Sequence, residues 1–377
     1  MSPRITSQKR RTLAPCIRAR VQRPCQQMSS LQIALYPGDG IGTEVIPQAV
    51  RVLDAIQGSV VGFERECTEL TWGSDYYFGH GSVVPEDFLT RLQQYAAILL
   101  GAVGDPERLP DSLTLSPLVQ VRQRFDQYVC MRPSRLMPGV RSPLADPGKI
   151  DMLVLRENSE GEYVRCGGRA RQGMPDEVAV QSAIHTRKGV ERILRFGFEQ
   201  ARLRRQRLTM ITKSNALVYG MTMWDDVLTA VRHDYQEIET ERMHADRAAM
   251  DLVRRPSHFD VVVASNLFGD LLTDLGGAIS GGLGLAPSAN INPERTAPSL
   301  FEPVHGSAPD IAGQGIANPV AAILSAAMML EWLQLNDAAT SVRAAVEKAL
   351  ATGAATRDMG GTLSCCEMGD AILAAMQ

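Results

Sequence analysis

The chain has 377 residues, of which 45% are hydrophobic and 21% charged, with a formal net charge of −3. That composition excludes global disorder, collagen-like repeats and long coiled coils, and the mild acidity argues against nucleic acid or an anionic membrane as the main partner. The length suits two or more domains with a sizeable core.

Residues 1–30 differ from the rest. They hold Arg4, Lys9, Arg10, Arg11, Arg18, Arg20 and Arg23 and no acid. They are read as a disordered basic extension upstream of a start at Met28, with a transit peptide and a nucleic-acid-binding arm as rival readings. From Leu31 short apolar runs alternate with helical periods. Strands are predicted at 31–36, 95–101, 152–156, 208–212 and 259–265. A helix is predicted over 43–57, with Val45, Ile46, Ala49, Val50, Leu53 and Ile56 at helical spacing and Thr43 as its N-cap. Further helices are expected at 187–201 and 320–335. Strand–helix alternation implies an α/β architecture. Pro and Gly cluster at 132–148 and 276–303, which are read as crossovers between domains, one of them discontinuous. The longest apolar stretch, near 320–330, is shorter than the about 20 residues that span a bilayer, so no membrane is expected. Seven scattered cysteines without zinc spacing read as reduced thiols in a cytoplasmic compartment.

Several segments carry chemistry. PGDGIG at 37–42 joins a strand to a helix, a context that suits phosphate binding at a helix N-terminus or equally a tight turn; Thr43 stands where the third glycine of the Rossmann fingerprint belongs. Asp270 and Asp274 are four apart and share a helix face just beyond a buried strand, a plausible hard-metal pair or simply acids near a helix N-terminus. Lys213 ends a strand where ligands bind in open α/β sheets. Arg122, Arg132 and Arg156 are placed to clamp a dicarboxylate through charge-assisted bonds, or are surface residues. The polar run 302–319 contains His305 and Asp310 among exposed amides.

Together with FDQYV at 125–129, MRP at 131–133, RENSEGEY at 156–163, TKSN at 212–215, FDVVVASNLFGDLLTD at 259–274 and EPVHGSAPDIAGQGIANP at 302–319, these motifs resemble the β-decarboxylating dehydrogenases of the isocitrate/isopropylmalate dehydrogenase family, from about residue 33 to the C-terminus. The resemblance implies a two-domain, non-Rossmann α/β fold. Residues 31–127 with 281–377 would form a large nucleotide-binding domain, and 128–280 a smaller domain for dimerisation, substrate and metal. It implies a homodimer with shared active sites. Arg122, Arg132 and Arg156 would grip the carboxylates of a 2-hydroxy dicarboxylate. Asp246, Asp270 and Asp274 would hold Mg²⁺ or Mn²⁺, and Tyr163 and Lys213 would be the catalytic pair, with Lys213 and Asp246 donated by the partner. His305, Gly306, Asp310 and Asn318 would contact the nucleotide, and the acid at Asp310 favours NAD over NADP.

Within the family the text SANINPERTAPSLFEPVHGSAPDI is most similar to tartrate and D-malate dehydrogenases, which implies oxidative decarboxylation of a (2R)-malate-type acid. A 3-isopropylmalate dehydrogenase is the nearest rival, and a non-catalytic RNA-binding relative the remote one. Isocitrate enzymes place a Ser and an Asn where Ser116 and Leu118 stand. At this substrate-binding position Leu118 leaves a third carboxylate short of a partner. The start Leu115-Ser116-Pro117 also lacks the bulky aromatic expected of tartrate and D-malate relatives, which bears on the size of the side pocket.

Overall fold

The computed structural model describes residues 30–59 and 63–377. The basic segment expected to be disordered therefore lies outside the described residues except for Ser30. Among the described residues no helix is long and apolar enough to cross a membrane. The five described cysteines are free thiols, with Cys365 buried and its neighbour Cys366 exposed.

The first three strands are β1 (Leu31–Gly38), β2 (Arg65–Glu69) and β3 (Ala97–Ala102). Next come β4 (Val129–Arg135) and β5 (Asp151–Glu157), then the short hairpin β6 (Gly167–Ala170) and β7 (Val178–Gln181). The remaining strands are β8 (Arg207–Thr212), β9 (Glu239–His244), β10 (Val261–Ala264), β11 (Pro287–Ile291) and β12 (Ser299–Pro303). All but the hairpin form one sheet in the order β2-β1-β3-β12-β11-β4-β5-β10-β8-β9. Its two wings are parallel, β2 to β12 and β5 to β9, and β11 and β4 join them through antiparallel pairings. Both ends of the chain thus build the first wing, and the middle builds the second. Helices cover both faces, which is why β3 and β10 are buried along their whole length and read as continuous apolar runs. The helix Val320–Trp332 is apolar on nearly every side because it sits inside the core.

Two details of register and packing position the site. Cys130 pairs with Arg156 and Arg132 with Val154, so Arg132 and Arg156 are diagonal neighbours on one face of the sheet. The helix Asn266–Ile279 lies on that face. It can approach because it presents glycine there. A Cβ on Gly269 would stand 2.7 Å from the Arg156 Cβ, and one on Gly276 2.5 Å from the Ser134 Oγ.

Some local expectations are corrected. The first helix is Gly42–Ser59, and Thr43 lies inside its first turn, donating its hydroxyl to the Gly40 carbonyl at 2.8 Å instead of capping. The apolar run 320–335 is not one helix. The chain leaves it at Gln334, with φ +66°, and a second helix follows at Asn336–Ala351. The apolar period continues across the break, so periodicity alone does not mark it. The Pro- and Gly-rich stretches read as crossovers also contain ordered structure, since β11 and β12 fall within 276–303 and part of β4 within 132–148.

Candidate active site

The centre of the site is Asp270, on the first half of the helix Asn266–Ile279 where it leaves the end of β10. One carboxylate oxygen, Oδ1, accepts from Arg132 Nη1 at 3.0 Å and from Arg156 Nη1. The other, Oδ2, accepts from the Tyr163 hydroxyl at 2.7 Å. Arg156 also donates through Nε and Nη2 to the Asn266 Oδ1, at 2.9 and 2.6 Å, and Arg132 donates to the Thr273 Oγ1 at 2.8 Å. Asn266, Asp270 and Thr273 recur at helical spacing, so one helix face serves both guanidiniums. The Arg156 guanidinium lies 5.1 Å from the centre of the Tyr163 ring. Asp274, one turn further on, is 4.0 Å from Arg132 Nη1.

The charges tune one another. Burial alone would raise the Asp270 carboxyl, but Arg156, Arg132 and the bond from Tyr163 outweigh it and hold the group below its usual value. Burial pushes Tyr163 upward, and its bond to the Asp270 anion adds to that, so the phenol is protonated near neutral pH. Asp274 lies above the usual carboxylate value because burial outweighs its distant pairing with Arg132.

Arg122 points to a different partner. Its Nη2 donates to the Glu302 Oε1 at 2.9 Å, and Asn290 donates to the same oxygen at 2.7 Å. A small cavity lined by Val119, Arg122, Gln123, Asn158, Tyr163 and Asn266 joins this arginine to the Tyr163 side.

Lys213 and Asp246 form a second group. They follow the carboxyl ends of the neighbouring parallel strands β8 and β9, and Lys213 Nζ donates to the Asp246 Oδ1 at 2.7 Å. That bond lowers the exposed Asp246 carboxyl. Among the described residues no three His, Cys, Asp or Glu side chains gather as a metal cluster within one chain. Asp270 and Asp274 nevertheless offer oxygen donors from one helix face, and the whole proposed set is carboxylate oxygen, which fits Mg²⁺ or Mn²⁺ in kind.

The polar run 302–319 meets the PGDGIG turn. The Ile41 amide donates to the Ser307 carbonyl at 2.8 Å, and a Cβ on Gly40 would stand 2.1 Å from that oxygen. Gly42, Thr43 and Glu44 amides are bonded within the turn, and Glu44 accepts from the Gly313 amide at 2.6 Å. Asp39 accepts from the Ser74 and Gly104 amides at 2.7 and 2.8 Å. The Asp39, Ile41, Gly42, Thr43 and Glu44 amides are thus engaged by protein, which favours the tight-turn reading over phosphate binding there. Beyond it, His305 Nδ1 donates to the Gly306 carbonyl at 2.9 Å, and its enclosed Nε2 has no partner among the described residues. Burial lowers this imidazole, so Nε2 is a free acceptor. Gly306 and Asp310 are exposed. Asn318 uses both ends of its amide internally, donating to Asp358 at 3.0 Å and accepting from the Val320 amide at 3.0 Å. His305 thus offers an enclosed, unpartnered acceptor, and Asp310, five residues on, an exposed acid.

Leu118 is only 8% exposed and packs in an apolar cluster with Tyr36, Trp72, Leu100, Val121 and Phe125, so the structure gives this expected substrate residue a place in the core. Sequence reasoning missed Asn266, Thr273 and Glu302. The first two were legible as the helical spacing around Asp270; Glu302 became visible only when β12 and the helix Ser116–Arg124 came together.

The chain matches the family described as isocitrate/isopropylmalate dehydrogenase over residues 32–372. It is 49% identical to the D-malate dehydrogenase [decarboxylating] of Escherichia coli (strain K12) over 355 residues, which cover 92% of this chain and 98% of that protein. It is 48% identical to the tartrate dehydrogenase/decarboxylase of Pseudomonas putida, across 91% of this chain and 97% of that one. Among solved structures, the isocitrate dehydrogenase from Methylococcus capsulatus aligns with a TM-score of 0.83 at 32% identity, covering 92% of this chain and 99% of its own.

Proposed function

The chain belongs to the isocitrate/isopropylmalate dehydrogenase family and is an oxidoreductase, and we propose that it carries out the NAD- and divalent-cation-dependent oxidative decarboxylation of a (2R)-malate-type acid. D-malate would give pyruvate and CO₂, and tartrate would be oxidised at the same site. The observation that carries this reading is the convergence of Arg132, Arg156 and Tyr163 on Asp270, one helical turn from Asp274.

Arg122, Arg132 and Arg156 bind the substrate carboxylates through charge-assisted bonds. Asp246, Asp270 and Asp274 would hold Mg²⁺ or Mn²⁺, while His305, Gly306, Asp310 and Asn318 would hold NAD. When bound, the cation supplies Lewis acidity at the C2 oxygen and NAD accepts the hydride. Lys213 takes the hydroxyl proton on Nζ as the neutral amine, its bond to Asp246 being released when that carboxylate turns to the cation. Tyr163, kept protonated by burial and by Asp270, delivers a proton to C3 after CO₂ departs.

Two chains would complete each site, Lys213 and Asp246 of one protomer facing Asp270 and Asp274 of its partner. Two features support that arrangement: the absence of a three-acid cluster within one chain among the described residues, and the exposed Leu271, adjacent to Asp270, and Tyr219, six residues past Lys213. The same reading divides the chain into a nucleotide domain of 31–127 with 281–377 and a substrate domain of 128–280.

The test is a substrate panel of D-malate, tartrate, 3-isopropylmalate and isocitrate with NAD or NADP, with and without EDTA. D-malate with NAD should give the highest kcat/KM of the four, lost in EDTA and restored by Mg²⁺ or Mn²⁺. A preference for 3-isopropylmalate, or activity indifferent to EDTA, would overturn the assignment.

A further inference from the structure

We propose that Gln181 is a positioning residue for Tyr163. Its side-chain amide braces the loop that carries the phenol, so Gln181 governs the proton-transfer step without touching the substrate. The inference rests on the proposed role of Tyr163 as the proton donor.

Tyr163 is 38% exposed, so packing alone does not fix its place. Its hydroxyl bonds Asp270 and its ring lies beside Arg156. The substrate carboxylates and the cation would engage those same two groups in the proposed reaction. A hold on the phenol that lasts through turnover therefore has to act on its backbone.

The loop is a bulge at the base of the β6–β7 hairpin. Gly161 and Ile184 exchange amide bonds at 2.7 and 3.1 Å, and further along Gly167 faces Gln181 in the hairpin pairing. Between these two ties run five residues on one side, 162–166, and two on the other, 182 and 183. The surplus of three (5 − 2) has no counterpart on the facing strand, so the segment bows out and brings Tyr163 to Asp270. Carbonyls in such a bow need another donor.

Gln181 supplies it. Its Nε2 donates to the Glu162 carbonyl at 2.8 Å and to the Val164 carbonyl at 2.9 Å. These are the carbonyls on either side of Tyr163, and the two bonds use both hydrogens of the amide nitrogen. The Val164 carbonyl also accepts from the Cys166 amide at 2.9 Å, which closes a tight turn just after Tyr163. The flanks of the loop are tied separately: Asn266 Nδ2 donates to the Glu160 carbonyl at 2.9 Å, and Arg165 Nη2 donates to the Ser116 Oγ at 2.9 Å. Gln181 is the side chain that grips the chain both before and after Tyr163, and it does so from the end of β7, whose backbone is itself paired. A reacting group displaced by about 1 Å can lose about 10²-fold in rate, so a slack loop here would be costly.

The experiment compares the full-length enzyme with Q181M, Q181E, Y163F and the double variant Q181M/Y163F, using D-malate, NAD and Mg²⁺ or Mn²⁺. Methionine keeps the length and has no donor; glutamate keeps the shape and sets oxygen against both carbonyls. Gln181 is exposed, so neither change disturbs the core. Q181M should lower kcat by at least about fivefold with KM within about twofold, and Q181E should lower kcat at least as much. In the Y163F background the same Q181M change should alter kcat by less than about twofold, because the group it positions is gone. A second readout uses EDTA-treated protein without substrate: amide hydrogen exchange of residues 161–166 should be faster in Q181M, and that of the helix Asn266–Ile279 unchanged. A Q181M kcat within twofold of wild type, an equal loss in both backgrounds, or unchanged exchange at 161–166 would overturn the positioning role alone. A Y163F enzyme as fast as wild type would overturn the proposed role of Tyr163 as well.

Discussion

Replacing Asp270 by Asn keeps the side chain's shape and removes one negative charge from between two buried guanidiniums. Arg156 and Arg132 have side chains only 2% and 8% exposed, whereas that of Asp270 is 29% exposed. Removing one partner of a fully buried pair costs about 3–5 kcal/mol; the partial exposure of Asp270, and the amide oxygen that still accepts, reduce the expected loss to about 2 kcal/mol. The assay is urea unfolding in EDTA, so that no cation contributes. The pH dependence has a definite sign. The folded-state value of Asp270 is depressed, so its stabilisation is fully present above the unfolded value of about 3.9 and is lost as pH falls through the lower folded value. The gap between D270N and wild type should be flat across neutral pH and narrow only in acid. Asp274→Asn should behave in the opposite way. Its carboxyl is raised by burial, so the anion opposes folding above the folded value, and the cation-free variant should be no less stable than wild type at neutral pH. Added Mg²⁺ or Mn²⁺ should then stabilise wild type and leave D274N behind. A D270N protein as stable as wild type at neutral pH would refute the idea that this carboxylate anchors the arginines.

Lys213→Met should cut kcat by about 10²-fold or more, since it removes the proposed base, and unchanged turnover of D-malate would reject that role. Tyr163→Phe should lower kcat far more than it raises KM; a pure KM effect would place the phenol in binding only. Asp310→Lys should move preference from NAD toward NADP by removing a carboxylate that repels a 2′-phosphate, checked as the ratio of the two kcat/KM values. Gly38→Ala should destabilise the protein by about 2–4 kcal/mol, read as a lower urea midpoint, because a left-handed backbone would acquire a side chain that clashes. At this position φ is +73° and the new Cβ would stand 1.9 Å from the Ala102 carbonyl oxygen.

The motifs and their order, together with the strand–helix alternation, were legible in the sequence because they depend on local spacing. Periods of two and 3.6 mark the elements, and Asp270 and Asp274 are neighbours on any helix. The same local reading misplaced Thr43 as a cap and carried one helix through Gln334, since neither position departs from a local pattern. It also left PGDGIG open between phosphate site and tight turn; the Ser307 carbonyl that engages its Ile41 amide lies more than 260 residues away.

What the sequence by itself determined is the class of fold, the family and the kinds of groups available for chemistry. Only the tertiary structure decided which acid answers which arginine. Arg132 and Arg156 meet over Asp270 because the β4–β5 register sets them on one face, and because glycines at 269 and 276 let the helix come close. Arg122 goes to Glu302, and Arg165 is left with a hydroxyl. Charge pairing depends on distances of a few ångströms between residues far apart in the chain, and those are set by packing, which no local pattern encodes.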